Sequence, residues 1–162
     1  MKSIDKHQSN YLFVYGTLRR NHVHSMSRWL SQRADWLGAG YFQGKLFNLG
    51  EYPGVVKSNK ASDRVLGDIY RIDHPKMILA TLDRYEQCSI RDPRPHEYAR
   101  SIEPVRLGKS KTLNAWVYLY NRPIKDLICI TSGDYFASSA KQSVGQIRLH
   151  GEKPYRLIED RI

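Results

Sequence analysis

The chain reads as an α+β domain in which a mainly antiparallel, barrel-like mixed sheet packs against one or two helices. Short runs of aromatic and β-branched residues recur from Tyr11 to Tyr120, most of them in neighbouring pairs joined by glycine-rich or polar turns. Only two stretches carry helical spacing. The strand and helix signals do not alternate regularly, which argues against a doubly wound parallel sheet.

Tyr11-Leu12-Phe13-Val14-Tyr15 is a compact run that stops at Gly16, as expected of a buried first strand turning sharply into a loop. Met26, Trp29, Leu30 and Ala34 lie near helical spacing and predict a helix from about Val23 to Arg33, with Ser25, Ser27, Arg28 and Gln32 facing water. Trp36 to Leu49 mixes glycine with Leu37, Tyr41, Leu46 and Phe47 and predicts a twisted or bulged strand pair. Tyr52-Pro53-Gly54 reads as a turn, and Val55-Val56 and Val65 to Ile72 as further strands separated by a polar loop.

Asp73-His74-Pro75 is a helix start: Asp caps free amides, and Pro fits a first turn that needs no donor. That helix should run to about Glu86, with Ile78, Leu82 and Tyr85 buried and Glu86 beside their face. Arg91 to Pro95 is a loop, and Tyr98 to Leu107 and Leu113 to Tyr120 form a strand pair around Gly108-Lys109-Ser110-Lys111. In the second of these, Trp116, Tyr118 and Tyr120 should face one way and Val117 and Leu119 the other. Further on, Ile124 to Ile130 reads as a strand and Asp134 to Lys141 as a short helix.

The 162 residues suffice for one domain with a real core, and 41% hydrophobic with 26% charged residues is an ordinary globular balance. The chain divides into an extension (residues 1–10), a domain (11–140) and a tail without assigned role (141–162). Met1 to Asn10 carries Lys2, Asp5 and Lys6 but no apolar segment, so it does not read as a signal peptide. Apolar stretches such as Leu127 to Ile130 are far shorter than the roughly 20 residues a bilayer needs. The expectation is a cytoplasmic protein without membrane partners. Its two cysteines, Cys88 and Cys129, read as free thiols rather than a disulfide framework.

A net charge of +10 is the main anomaly, and it suits nucleic acid, acidic surfaces or small anions alike. Lys and Arg are spread along the chain, concentrated only at Arg91, Arg94 and Arg100, without interleaved stacking aromatics, so solvated basic faces are the expectation rather than nucleic-acid binding. His22-x-His24 lacks supporting ligands at metal spacing, and no dinucleotide, P-loop or nucleophile-elbow fingerprint is present. No cofactor is implied.

Two places carry chemistry. Tyr15-Gly16-Thr17-Leu18 follows a strand, and glycine there would let consecutive amides face an anion such as a carboxylate. Taken alone it is also an ordinary structural turn. Arg19 and Arg20 would add positive potential or serve as surface charges. Glu86 falls at a helix C-terminus beside the apolar face, where the helix dipole and desolvation both raise a carboxylate's pKa and suit it to general-base work. On spacing alone it is equally a solvated residue in a fraying last turn. Tyr98, Tyr135 and Arg100 are candidates for lining a pocket or bonding to Glu86, and buried structural side chains otherwise. Cys88 lacks a paired histidine.

Several segments together resemble the γ-glutamylcyclotransferase-like superfamily: Phe13 to Arg19, Tyr52 to Val56, Val65 to Tyr70, Leu82-Asp83-Arg84-Tyr85-Glu86, Glu97 to Arg100, and Ser132-Gly133-Asp134-Tyr135. The resemblance implies that the first motif cradles a γ-glutamyl group through backbone amides and that Glu86 accepts a proton. It also implies cyclisation to 5-oxoproline without a cofactor. A non-catalytic small-carboxylate binder, or a basic domain tethered to nucleic acid, are the alternatives. The leaving amine and the oligomeric state are not specified by these residues.

Overall fold

The computed structural model describes residues 8–137. Its elements are β1 (Tyr11–Val14), α1 (Ser25–Ser31), β2 (Asp35–Asn48), β3 (Pro53–Lys57), β4 (Arg64–Arg71), α2 (Pro75–Tyr85), β5 (Tyr98–Leu107), β6 (Lys111–Tyr120) and β7 (Ile128–Cys129). Neighbouring strands follow the order β2, β4, β1, β6, β5, and β5 pairs back onto β2, which closes a five-stranded barrel. All its pairings are antiparallel except β1 with β6, which makes the sheet mixed. No helix among the described residues is long and apolar enough to cross a membrane.

β2 explains the closure. It is one strand of 14 residues rather than a pair, with a register shift between Trp36 and Gly38. At about 3.3 Å per residue such a strand spans roughly 45 Å, too long for one barrel wall. Its first part pairs with β4 and β5, and residues 44–48 leave the barrel to pair with β3. A side chain at Gly40 would stand 2.4 Å from the Arg106 carbonyl of β5, so the closing strands approach as far as only glycine permits.

β1 is buried on both faces and feeds two cores by alternation. Leu12 and Val14 join Leu30, Ile78, Leu82 and Tyr85 beneath the helices, and Phe13 joins Phe42, Val65, Ile69, Val105 and Val117 from the other barrel strands. β6 divides as its alternation predicts, with Trp116, Tyr118 and Tyr120 on the helical side and Ala115, Val117 and Leu119 on the other.

Local details differ from the sequence reading. α1 spans only Ser25–Ser31, and Ser27 is buried rather than exposed because its hydroxyl donates to the Arg19 carbonyl at 2.7 Å. His74 rather than Asp73 is the N-cap of α2, with Pro75 in its first turn. Pro53 and Gly54 begin β3 instead of forming a turn. The strand expected over Ile124 to Ile130 shrinks to β7. A helical turn starts at Tyr135, and the rest of the helix expected to Lys141, like the tail after it, lies outside the described residues.

Candidate active site

β1 delivers Tyr15 to Leu18 to the barrel end as a tight turn, closed by the Arg19 amide donating to the Gly16 carbonyl at 3.0 Å. Among the described residues no protein acceptor takes the amides of Gly16, Thr17 or Leu18. Gly16 is not in the left-handed region, contrary to the torsional reason for a glycine there. The reason is space, since the Pro53 ring occupies the volume a side chain would need. Tyr15 anchors the turn from below by donating its hydroxyl to the Tyr118 carbonyl at 2.6 Å. The Thr17 hydroxyl lies 3.0 Å from that of Tyr85, tying the turn to α2.

α2 presents Glu86 as its C-cap, with the Glu86 amide donating to the Leu82 carbonyl at 2.7 Å and Gln87 at φ 55° ending the helix. Ile78, Leu82 and Tyr85 seat the helix in the core, and this draws the neighbouring Glu86 inward to 9% exposure. A solvated glutamate in a fraying turn is therefore excluded. Its negative charge is felt by Tyr15, Tyr85, Tyr98 and Tyr118, whose hydroxyls are held above their ordinary pKa first by burial, with Glu86 adding to the rise.

Gly16, Thr17, Leu18 and Glu86 line one cavity together with Tyr15, Tyr98 and Tyr118. Tyr52 and Pro53 complete its wall, and its empty volume is about 380 Å³ with the open mouth included. Tyr98 is buried and donates to the Pro53 carbonyl at 2.7 Å. Tyr52 donates to both carboxylate oxygens of Glu97, at 3.0 and 3.1 Å, and its hydroxyl is pushed up to about 12 by burial and then by Glu97. Among the described residues the lining contains one carboxylate and no Lys, Arg or His. An anion entering here would meet backbone amides and hydroxyls rather than a cation.

Other sequence candidates lie elsewhere. Tyr135 is not in the lining; its hydroxyl donates to the Glu51 carbonyl at 3.0 Å. Arg19 is buried against Asp134 and Asp68, and Arg20 stacks on Trp36 with its guanidinium carbon 4.3 Å from the ring centre, so neither supplies a cation to the lining. Arg100 pairs with Asp83 at 2.9 Å and lies over Trp116, and it is not part of the lining. Cys88 is driven up to about 12, first by burial and then by Asp83 and Glu86, which removes it as a nucleophile. Among the described residues no His, Cys, Asp and Glu side chains group as a metal site.

Sequence reasoning missed Tyr118 and Tyr85 as partners of the loop. Alternation did group Tyr118 with Trp116 and Tyr120 on one face of β6, which the structure turns toward the helices.

The family model described as gamma-glutamyl cyclotransferase, AIG2-like, matches residues 12–137. The gamma-glutamylcyclotransferase family protein YtfP of Escherichia coli is 38% identical over 125 residues, covering 76% of this chain and 94% of that protein. The solution structure of E. coli ytfP superposes with a TM-score of 0.55 at 35% identity, over 80% of this chain and 98% of that one. An AIG2-like protein of Mus musculus superposes with a TM-score of 0.55 at 25% identity, over 70% of this chain and 78% of that one.

Proposed function

Because the chain belongs to the gamma-glutamyl cyclotransferase, AIG2-like family, we propose that it releases 5-oxoproline from a γ-glutamyl peptide or amine with Glu86 as the general base. The observation that carries this reading is the meeting, in one cavity, of a buried carboxylate and a turn with three unused amides.

The amides of Gly16, Thr17 and Leu18 take the carboxylate of the glutamyl group, a bond type well suited to an anion where the described lining offers no cation. Glu86 takes a proton from the α-ammonium, and the freed amine attacks the γ-carbonyl carbon. The carbon–nitrogen bond to the leaving amine then breaks. That amine takes the proton held by Glu86 and the second proton shed by the attacking nitrogen and departs as an ammonium, leaving a neutral five-membered lactam and Glu86 again as a carboxylate. A curled substrate brings amine and carbonyl together, and such intramolecular attack reaches effective molarities of about 10⁵–10⁸ M. Tyr98 and Tyr118, both with raised pKa, stay neutral and shape the wall without competing for the proton.

The test is 5-oxoproline release from a panel containing glutathione, γ-glutamyl amino acids and γ-glutamyl-ε-lysine, with Glu86→Gln alongside. Wild-type release falling by about 10²–10⁴-fold in the variant, with binding kept, is the expected result. An unchanged rate removes Glu86 from the mechanism. A silent panel, with a small carboxylate still bound, moves the protein to a binding role.

A further inference from the structure

Arg19 stands one residue beyond the turn and is 9% exposed, yet the cavity does not use it. Its Nη1 donates to Asp134 Oδ1 at 2.8 Å, its Nε lies 3.8 Å from Asp68 Oδ2 without a hydrogen bond of its own, and its guanidinium carbon sits 4.4 Å from the Phe136 ring centre. Its main chain is equally committed. The amide closes the turn on Gly16, and the carbonyl accepts from Ser27 of α1. One residue therefore joins the turn to α1, to β4 and to the segment after β7.

That segment is itself fixed. The Leu66 amide of β4 donates to the Gly133 carbonyl at 2.8 Å, and Asp134 Oδ1 also accepts from the Phe136 amide at 3.0 Å. Asp134 is the acid that hydrogen-bonds this deep guanidinium, Asp68 standing 3.8 Å away without a hydrogen bond to it, so loss of Asp134 would drive Arg19 toward water and take the turn's closing residue with it.

We propose that the Arg19–Asp134 ion pair is a latch that positions the Gly16–Leu18 amides for the ligand. Both are positioning residues, since neither touches the cavity. The kinetic consequence rests on the cyclotransferase reading; the structural one does not.

The experiment compares wild type, Asp134→Ala, Asp134→Asn and Arg19→Lys as full chains. Amide hydrogen exchange is read at Arg19 and Arg20, whose bonds to Gly16 and Asp68 report the turn. Steady-state kinetics are read on whichever panel substrate turns over. In Asp134→Ala the Arg19 exchange should quicken and KM should rise by about tenfold or more, the scale of a lost charge-assisted hydrogen bond, with kcat nearly kept. Asp134→Asn, which retains an acceptor for the Phe136 amide, and Arg19→Lys, which retains the charge, should fall between. Unchanged exchange at Arg19, or a lowered thermal midpoint with KM unmoved, overturns the latch. If wild type turns over nothing, the cyclotransferase reading fails while the exchange measurement still decides the latch.

Discussion

A side chain on Gly16 would place its Cβ 2.7 Å from Cγ and 2.9 Å from Cδ of Pro53. Pro53 is held from the other side, because its carbonyl accepts the buried Tyr98 hydroxyl and it pairs with Asn48 in the β2–β3 ladder. The turn and the first residue of β3 therefore define each other's position, and the amide turn is a contact surface as much as a loop.

Gly16→Ala should consequently shift the turn rather than Pro53. Overpacking of this kind costs about 1–3 kcal/mol. The expected outcome is a folded protein with KM raised about tenfold, since roughly 1.4 kcal/mol of lost binding is a factor of ten. Adding Pro53→Ala, which opens the space, should restore part of the loss. Wild-type KM in Gly16→Ala alone would show that the turn is not held by this contact.

Asp83 stands one turn before Glu86 and fixes the end of α2 to the β5–β6 pair. Its carboxylate accepts from the Tyr118 hydroxyl at 2.7 Å and pairs with Arg100, whose guanidinium lies over Trp116. Asp83→Ala leaves Arg100 and Tyr118 without their acceptor, at a cost of about 2–3 kcal/mol for hydrogen bonds to a charged group. The urea midpoint should fall accordingly, and turnover should fall with it because the base loses its mounting. A midpoint equal to wild type would refute the clamp.

Much of this architecture was legible because β1 is a continuous apolar run, as a strand buried on both faces requires, and because β6 alternates aromatic with aliphatic residues. Glu86 could be placed at a helix end beside the apolar face from the spacing of Ile78, Leu82 and Tyr85. Its burial could not, since that depends on how α2 sits against β1 and β6. Gly16 was read as a torsional glycine because spacing in sequence cannot reveal a proline that approaches from a residue 37 positions away. Arg19 was misjudged for the same reason: its partners Asp68 and Asp134 are distant in sequence, and nothing local distinguishes a buried arginine from its exposed neighbour Arg20. The long β2 was read as a twisted or bulged strand pair because of its glycines, whereas it is one strand with a register shift between Trp36 and Gly38, and Gly40 serves a close strand contact.

The two cysteines should differ sharply in reactivity. Cys88 is part-buried and pushed up to about 12 by burial, Asp83 and Glu86, whereas Cys129 is exposed. At pH of about 8 a thiol with pKa about 12 is ionised to only about one part in 10⁴, and the thiolate is the reactive form. Iodoacetamide followed by peptide mass spectrometry should label Cys129 rapidly and Cys88 only after denaturation. Equal labelling of both in the native protein would contradict the buried placement of Cys88.

The tyrosines around Glu86 predict how stability depends on pH. Tyr15, Tyr98 and Tyr118 are held well above 10.0 first by burial, so the folded state favours their protonated forms. Their contribution is complete below the unfolded value and is lost as pH rises past it toward the folded values, because the unfolded chain then binds fewer protons. Each such group adds a slope of up to about 1.4 kcal/mol per pH unit above pH of about 10. Urea midpoints should hold between pH about 8 and about 9.5 and then fall steeply, with tyrosinate absorbance appearing only as the chain unfolds. Tyr15→Phe removes one titrating group and should make the alkaline fall shallower. Tyrosinate absorbance that rises in the native protein near pH of about 10 would mean that these hydroxyls meet water, and the cavity wall would then be open where the structure closes it.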